Sequence, residues 1–361
     1  MNVNSQNFTS MRKPKTFNNP ERFVEGWYWV MPSQNLRIGE VKPVTILGRK
    51  LVVYRGQDKR VVICDAYCPH MGAHLAEGRI EGNELRCFFH HWKFDNQGIC
   101  VEIPCLDEPL PIKLKTWPTN EGYGMIWIWT GETPQQPLPF IPDLQQQQFD
   151  ITFGFHFVKN CHPNVVLINA IDAQHFNTVH KLPLEVIFDK EEYNHNVIIF
   201  TNITDIRRGH SFTKLIRSLF KHPINYSICY WYGSTGIVSL GPDFLGLHMM
   251  FALRLLESGK TEGQTIFMLK KRSHLFGRLF NQLIFWVTKL VGEHFIQDDE
   301  KVFRTIRFDL KTPIKADQAI MQFINHIEQQ KPLLWSTWNL ARREVEPQAT
   351  QNQWRDDLTN D

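Results

Sequence analysis

The chain has almost no charge imbalance: 40 Lys and Arg stand against 37 Asp and Glu, a formal net charge of +3. That is too even to argue for a nucleic-acid partner. It also lacks an internal repeat, a convincing flavin or nicotinamide site, and an additional ferredoxin-type cysteine array. The opening stretch MNVNSQNFTSMRKPKTF is without the apolar run of a signal peptide, so a reducing, cytoplasmic location is the expectation. Seven cysteines are an odd number. Five of them (Cys64, Cys100, Cys105, Cys161 and Cys229) are scattered and read as small buried residues rather than disulfide partners. What is present is aromatic surface, with 26 Phe and 11 Trp, enough for an aromatic core or pocket. At 361 residues, 42% hydrophobic and 21% charged, the chain has the composition of a globular protein long enough for two domains.

Two of the cysteines stand in a pattern. Cys68-Pro69-His70 and Cys87-Phe88-Phe89-His90 form C-x-H…C-x-x-H, with sixteen residues between the pairs. Thiolates and imidazoles bind soft and borderline metals. In a Rieske centre two Cys hold one iron of a [2Fe–2S] cluster and two His hold the other, which raises the reduction potential. Each pair here offers one ligand of each type, as such an asymmetric cluster needs. The competing structural zinc site usually groups its ligands as C-x₂₋₄-C followed by H-x₃₋₅-H, and the interleaved order fits that poorly.

Residues 1–20 are polar and read as a tail, and aromatics clustered in ERFVEGWYWV (21–30) begin the folded part. To about residue 130, short apolar runs such as VTIL, LVVY, VVIC and MIWIW are broken by Gly, Pro and Asn. That spacing predicts an antiparallel β-domain over 22–132, with both metal-binding turns between strands. A Pro- and Gln-rich linker over 133–150 cannot build a core. The second domain, 151–335, contains a helical pattern from Asn164 to His180, strand-like runs near 197–200, 226–232, 247–256 and 264–269, and two helical patterns over 275–296 and about 315–331. A polar tail occupies 336–361.

The helical pattern carries Asp172, His175 and His180 as D-x-x-H-x-x-x-x-H. Asp172 and His175 can share a helical face. The step to His180 turns about 140° round an ideal helix, so a distortion or helix end is needed to aim both imidazoles at one metal. Two His and a carboxylate make the facial triad of non-heme Fe(II) oxygenases. Asp298 and Asp299, placed just after an apolar helix, are the candidates for the missing carboxylate. Their alternative is a solvated charge pair at a helix end.

These residues resemble the Rieske non-heme iron oxygenases, in their terminal oxygenase components. The resemblance rests on C-P-H…C-F-F-H-H-W-K-F-D…G-x-C-x-x-I-P and on N-x-x-D-x-x-H-x-x-x-x-H from Asn169 to His180, within about residues 22–310. The wording of 65–75 is most similar to the branch of ketosteroid 9α-hydroxylases and Neverland-type sterol desaturases. It implies an α+β fold: an N-terminal all-β Rieske domain and a helix-grip catalytic domain with an antiparallel sheet. It implies [2Fe–2S] ligands Cys68, His70, Cys87 and His90, and Fe(II) ligands His175, His180 and an Asp. Of the pair, Asp299, with Val302 three positions on, fits better. Asp172 matches a bridging carboxylate that would hydrogen-bond His90 and His175 between subunits of a head-to-tail homotrimer. Such groups orient ligands and tune potentials. One departure is His91, where the family usually has Gly. His74 and His162 are expected in surface or core roles.

The implied partners are O₂, a separate NAD(P)H-dependent reductase or ferredoxin, and a hydrophobic substrate (sterol-like, terpenoid or aromatic), met by an apolar pocket from the strands at 247–256 and 264–269. Hydroxylation, dioxygenation and desaturation share the iron site. The apolar stripe over 275–296 predicts a helix packed over the active site, with contact to a membrane surface as the alternative. A Rieske electron carrier and a zinc-stabilised module remain competing classes. Iron analysis separates them: an oxygenase is brown, with a Rieske-type paramagnetic signal and about three irons per chain. About two irons mark the carrier, and a colourless protein marks zinc.

Overall fold

The computed structural model describes residues 16–144, 147–181, 186–202, 225–241 and 245–333. The expected tail at 336–361 lies outside them. Eleven strands come first: β1 (Trp27–Pro32), β2 (Val41–Ile46), β3 (Arg49–Arg55), β4 (Val61–Asp65), β5 (Arg79–Glu81), β6 (Glu84–Arg86), β7 (Lys93–Phe94), β8 (Cys100–Glu102), β9 (Thr116–Trp117), β10 (Thr119–Gly122) and β11 (Met125–Trp129). They pair as three small sheets ordered β1-β11-β10, β2-β3-β4-β9 and β5-β6-β7-β8. Short β-rich runs punctuated by turns form such sheets because each buries one face on a shared core. Here Leu51, Val53 and Ile63 pack with Ile126 and Ile128.

The second half is built on one seven-stranded antiparallel sheet. Its strands are β12 (Phe149–Lys159), β13 (Phe188–Asn194), β14 (Val197–Asn202), β15 (Asn225–Trp231), β16 (Thr235–Gly241), β17 (Leu247–Leu255) and β18 (Thr261–Lys270), in the order β12-β18-β17-β16-β15-β14-β13. The helices are α1 (Pro163–Ile168), α2 (Ala173–Thr178), α3 (Leu275–Thr305) and α4 (Gln318–Gln329). This is the α+β arrangement expected: a β-domain, then a large antiparallel sheet with helices. The halves share core. Trp27, Trp29, Trp127 and Trp129 pack in one cluster with Trp231, Tyr232 and Phe323. Arg254 also lies over the Trp29 ring at 4.2 Å and donates to the Val30 carbonyl at 2.7 Å.

Four expectations change. The tail at 1–20 is not all tail, since Thr16 and Phe17 are buried and Phe17 stacks edge-on against Phe308 and Phe323. The linker does not merely cross the surface: its carbonyls at Gln136 and Phe140 accept from the indoles of Trp27 and Trp231, each at 2.9 Å. Buried indole N–H groups need acceptors, and this segment supplies them. The helix over 164–180 is broken in two by a 3₁₀ turn at Asn169–Ile171. Finally, α3 runs on to Thr305, so Asp298 and Asp299 lie inside it rather than after it.

The stripe of α3 faces the opposite way from the packed expectation. Among the helix's residues only Asn281 and Phe303 are buried, while Phe276, Leu279, Leu283, Trp286 and Leu290 are exposed. The Asn281 amide donates to Asp150 at 2.8 Å and to the Lys270 carbonyl at 3.0 Å. The helix makes a buried polar contact at Asn281 and turns the stripe of Phe276, Leu279, Leu283, Trp286 and Leu290 outward.

Burial also sets an acid limit on the fold. It pushes His162 down to about 3 and His326 to about 4, because the charged imidazolium is poorly solvated inside. Folded, both stay neutral while the unfolded chain protonates near 6.5. Below that pH the unfolded state binds more protons, so this stabilisation is full above 6.5 and is lost progressively toward 4. We expect denaturant melts between pH 6.5 and 5 to show a slope shallower by up to ~1.4 kcal/mol per pH unit in His326→Leu. An unchanged slope assigns the acid lability to other groups.

Candidate functional site

The first group of candidate ligands sits on two loop tips. β4 leads into the loop of Cys68 and His70, which closes on itself: the Cys68 N–H donates to Ala73 and the Gly72 N–H to Cys68, both at 2.9 Å. Gly72 has φ +73°, a conformation in which glycine avoids the cost of a Cβ. β6 leads into the loop of Cys87 and His90, closed by the Cys87 N–H on the Trp92 carbonyl at 2.9 Å. Cys68 and Cys87 are buried in one cluster with Trp92 and Phe94. Their thiols are in hydrogen-bonding contact, and burial pushes Cys68 up to about 11. The His70 and His90 rings lie 4.6 Å apart and are exposed. Two thiols together below two imidazoles suit a cluster with one sulfur-ligated and one nitrogen-ligated iron, which must displace the thiol protons on binding.

Two further side chains support these loops: Trp92, which stands in the sequence motif, and Arg86, which carried no readable signal in the sequence. Trp92 stacks flat on His70, 4.3 Å between centroids with a 4° interplanar angle. Arg86, itself buried, pairs with Glu102 at 2.9 Å and with Glu81 at 2.8 Å, and it donates to the His91 carbonyl at 2.8 Å. Arg86 first, then Lys93, hold the Glu102 carboxyl down to about 2. His91 has φ +60°, which explains why glycine is usual there: the left-handed conformation crowds a Cβ.

The second group is assembled from two distant segments. Asp172 caps α2, its Oδ1 accepting from the N–H of Gln174 at 3.0 Å and of His175 at 3.1 Å. It therefore stands before the helix rather than on its face. α2 ends at Thr178, leaving His180 past the helix, and this end brings the second imidazole round. His175 Nε2 and His180 Nε2 approach to 2.9 Å, and Asp299 Oδ1, from α3, lies 2.9 Å from the first and 3.3 Å from the second. The three side chains are 5%, 5% and 16% exposed.

Asp299 Oδ1 is buried and makes no hydrogen bond despite those distances. Ligands at cis positions with bonds of ~2.1 Å sit about 3 Å from one another. Three such atoms converging, with Asp299 Oδ1 outside hydrogen-bond geometry, fit a metal ion between them. Among the described residues this is the one set of three or more such groups that closes within 4.8 Å. Asp298 sits elsewhere, its Oδ2 3.5 Å from His180 Nδ1, where a carboxylate orients the ring. The amide of Asn169 reaches both His175 Nε2 and Asp299 Oδ2 at 3.1 Å. Two buried hydroxyls hold the backbone of this segment to the sheet: Tyr226 donates to Ala170 at 2.6 Å and Tyr230 to Leu167 at 2.7 Å.

The spare histidines have a common job. His74 Nδ1 accepts from the Ala76 N–H and His162 Nδ1 from the Asn164 N–H, each at 3.2 Å and each capping a helix start. Cys64, Cys100 and Cys229 are buried as expected, Cys161 is half-buried, and Cys105 is exposed. Of the strands expected to line a pocket, Met250, Ala252, Leu253, Ile266 and Met268 are buried in the main core cluster.

Comparison with known proteins agrees with the first half. A family model for the Rieske [2Fe-2S] domain matches residues 26–118. A cholesterol 7-desaturase of Drosophila melanogaster is 38% identical over 169 residues, 45% of this chain and 39% of that protein. The oxygenase component of a 3-ketosteroid-9-alpha-monooxygenase of Rhodococcus rhodochrous is 32% identical over 186 residues, 50% of this chain and 47% of that protein. The matches therefore span less than half the length of these relatives. In structure, the oxygenase in the reduced oxygenase–ferredoxin complex of carbazole 1,9a-dioxygenase is similar with a TM-score of 0.68. It is 16% identical, and the match covers 92% of this chain and 95% of that one.

His91 gives the test of the loop geometry. His91→Gly relieves the left-handed strain and is expected to stabilise the protein by ~1 kcal/mol. The Rieske-type paramagnetic signal should be unchanged. Loss of that signal would show that His91 rather than His90 is the ligand.

Proposed function

We propose that this chain, a member of the Rieske oxygenases by its N-terminal domain and its fold, is a terminal oxygenase acting on a hydrophobic substrate with O₂ and externally supplied electrons. The observation that carries the reading is the convergence of His175 Nε2, His180 Nε2 and Asp299 Oδ1 in a second site downstream of the Rieske loops. Cys68, Cys87, His70 and His90 would hold the [2Fe–2S] cluster, and His175, His180 and Asp299 the mononuclear iron. When bound, these groups would supply one-electron delivery and O₂ activation.

The residues of the chain do the rest. The exposed His70 and His90 present the cluster end of the Rieske domain to a protein electron donor, a ferredoxin or reductase. Trp92, flat on His70, keeps that ring from turning. At the second site Asn169 and Asp298 fix the orientation of Asp299 and His180, so that the ligand lone pairs stay aimed at one point. Asp172 spends one carboxylate oxygen on the α2 cap and leaves Oδ2 without a hydrogen bond among the described residues. In a head-to-tail trimer that oxygen is the group to meet His90 of a neighbouring subunit.

The substrate class is supported by the cholesterol and ketosteroid named for the matched relatives, and hydroxylation is the reaction we favour over dioxygenation or desaturation. Product analysis with ¹⁸O₂, a surrogate reductase and a panel of sterols, terpenoids and aromatics tests it. One labelled oxygen in a hydroxylated product supports the reading. Two labelled atoms, or none with a new double bond, replace it by dioxygenation or desaturation. Turnover of polar acids alone rejects the substrate class.

Iron content tests the site. Asp299→Ala is expected to lower iron from about three to about two per chain with the Rieske signal intact, whereas Asp298→Asn should keep about three. The reverse pattern would make Asp298 the ligand.

A further inference from the structure

We propose that the outward face of α3, over residues 275–291, is a docking surface for an anionic lipid membrane, with the helix lying in the plane of the interface. Phe276, Leu279, Leu283, Trp286 and Leu290 recur at steps of three and four and are 84%, 52%, 54%, 60% and 50% exposed. At that spacing they form a single stripe along one side of the helix. They run over about 21 Å, fourteen steps of 1.5 Å. A row of this length, with Phe and Trp among its members, is far more apolar surface than scattered exposed side chains account for.

The inner face of the helix explains why the stripe cannot turn in. On the less exposed side of the helix Asn281 is buried and Thr288 and Gly292 are half-buried, with Ile284 and Phe285 half-buried between them. Asn281 is buried and bonded to Asp150 and to the Lys270 carbonyl. A Cβ at Gly292 would come to 3.0 Å from the Phe155 ring, so a larger residue there would require that side chain to shift. Rotating the stripe inward would strand the Asn281 amide and drive Leu and Trp into that gap. Farther along the same inner side α3 carries Asp299, so its rotation is also held by the site.

Charge selects the occupant. From 270 to 293 the chain has Lys270, Lys271, Arg272, Arg278 and Lys289 and one acid, Glu293. By the 100° step per residue, Arg278 and Lys289 fall together on one flank of the stripe. An apolar face with Trp, bordered by cations, matches the acyl boundary and the headgroups of an anionic leaflet. An acidic protein groove would match the cations but not an unbroken apolar row of this length. No helix among the described residues is long and apolar enough to cross a membrane, which leaves in-plane binding. The inference stands on α3 alone and does not need the proposed reaction.

The test is co-sedimentation of the full-length, iron-loaded protein with vesicles of phosphatidylcholine alone and with added phosphatidylserine. The protein is expected to sediment with the mixed vesicles, and binding should fall at least tenfold without phosphatidylserine or in 1 M salt. Leu279→Glu with Leu283→Glu, and separately Arg278→Gln with Lys289→Gln, should each weaken it at least tenfold. The Rieske signal reports that these variants are folded. Light scattering on the same samples identifies a rival cover. Wild-type protein that stays in the supernatant overturns the proposal, as does binding that the Glu variant leaves unchanged. A Glu variant that only dissociates a larger assembly assigns the stripe to contact between copies of the chain.

Discussion

Three lone-pair donors crowded together inside a protein are a repulsive arrangement unless something positive lies between them. His175, His180 and Asp299 are such a set, with Asp299 Oδ1 buried and without a hydrogen bond. A buried carboxylate oxygen left unpaired costs several kcal/mol by the usual reckoning, so its surroundings must over-determine its position. Much of the second domain does that. Tyr226 and Tyr230 tie the His-bearing segment to the sheet, the Asp172 cap starts α2 and its early end releases His180, and α3 delivers Asp299 from the far end of the domain.

The same economy appears at the other loops. Asp172, His74 and His162 all look like chemistry in a list of titratable residues, yet each accepts from backbone N–H groups at a helix start. Helix starts leave N–H groups without partners, and a side-chain acceptor satisfies them. For Asp172 the cap and any role toward a neighbouring His are compatible, because a carboxylate has two oxygens. For His162 the cap sits in a buried place, which is why its charged form is so disfavoured.

α3 shows where pattern reading goes astray. Helical spacing of large apolar residues normally marks the face turned to the core, and the stripe over 275–291 has that spacing. The side that packs has Asn281, Thr288 and Gly292 among half-buried Ile284 and Phe285, a weaker apolar signal than the exposed stripe. Periodicity locates a stripe but does not say which way it faces. Close approach at Gly292 and the amide bonds of Asn281 decide that, and both are contacts with residues far away in the chain.

What the sequence by itself determined is local: the strands, the two loop tips of the Rieske domain with their four ligand candidates, and the pair of histidines at the end of a helical run. These depend on spacing of residue types over a few positions, and spacing is what a sequence displays. Only the tertiary structure decided between Asp298 and Asp299 in position, brought Asn169 and Arg86 to their sites, broke the helix at Asp172 and turned the apolar face of α3 outward. Each of those depends on a partner more than a helical turn distant or on which side of an element is left room to pack. The loop of Cys68 to His91 could thus be read from its residues, while its companion site came together only when α3 folded back across 119 residues, from His180 to Asp299, to close it.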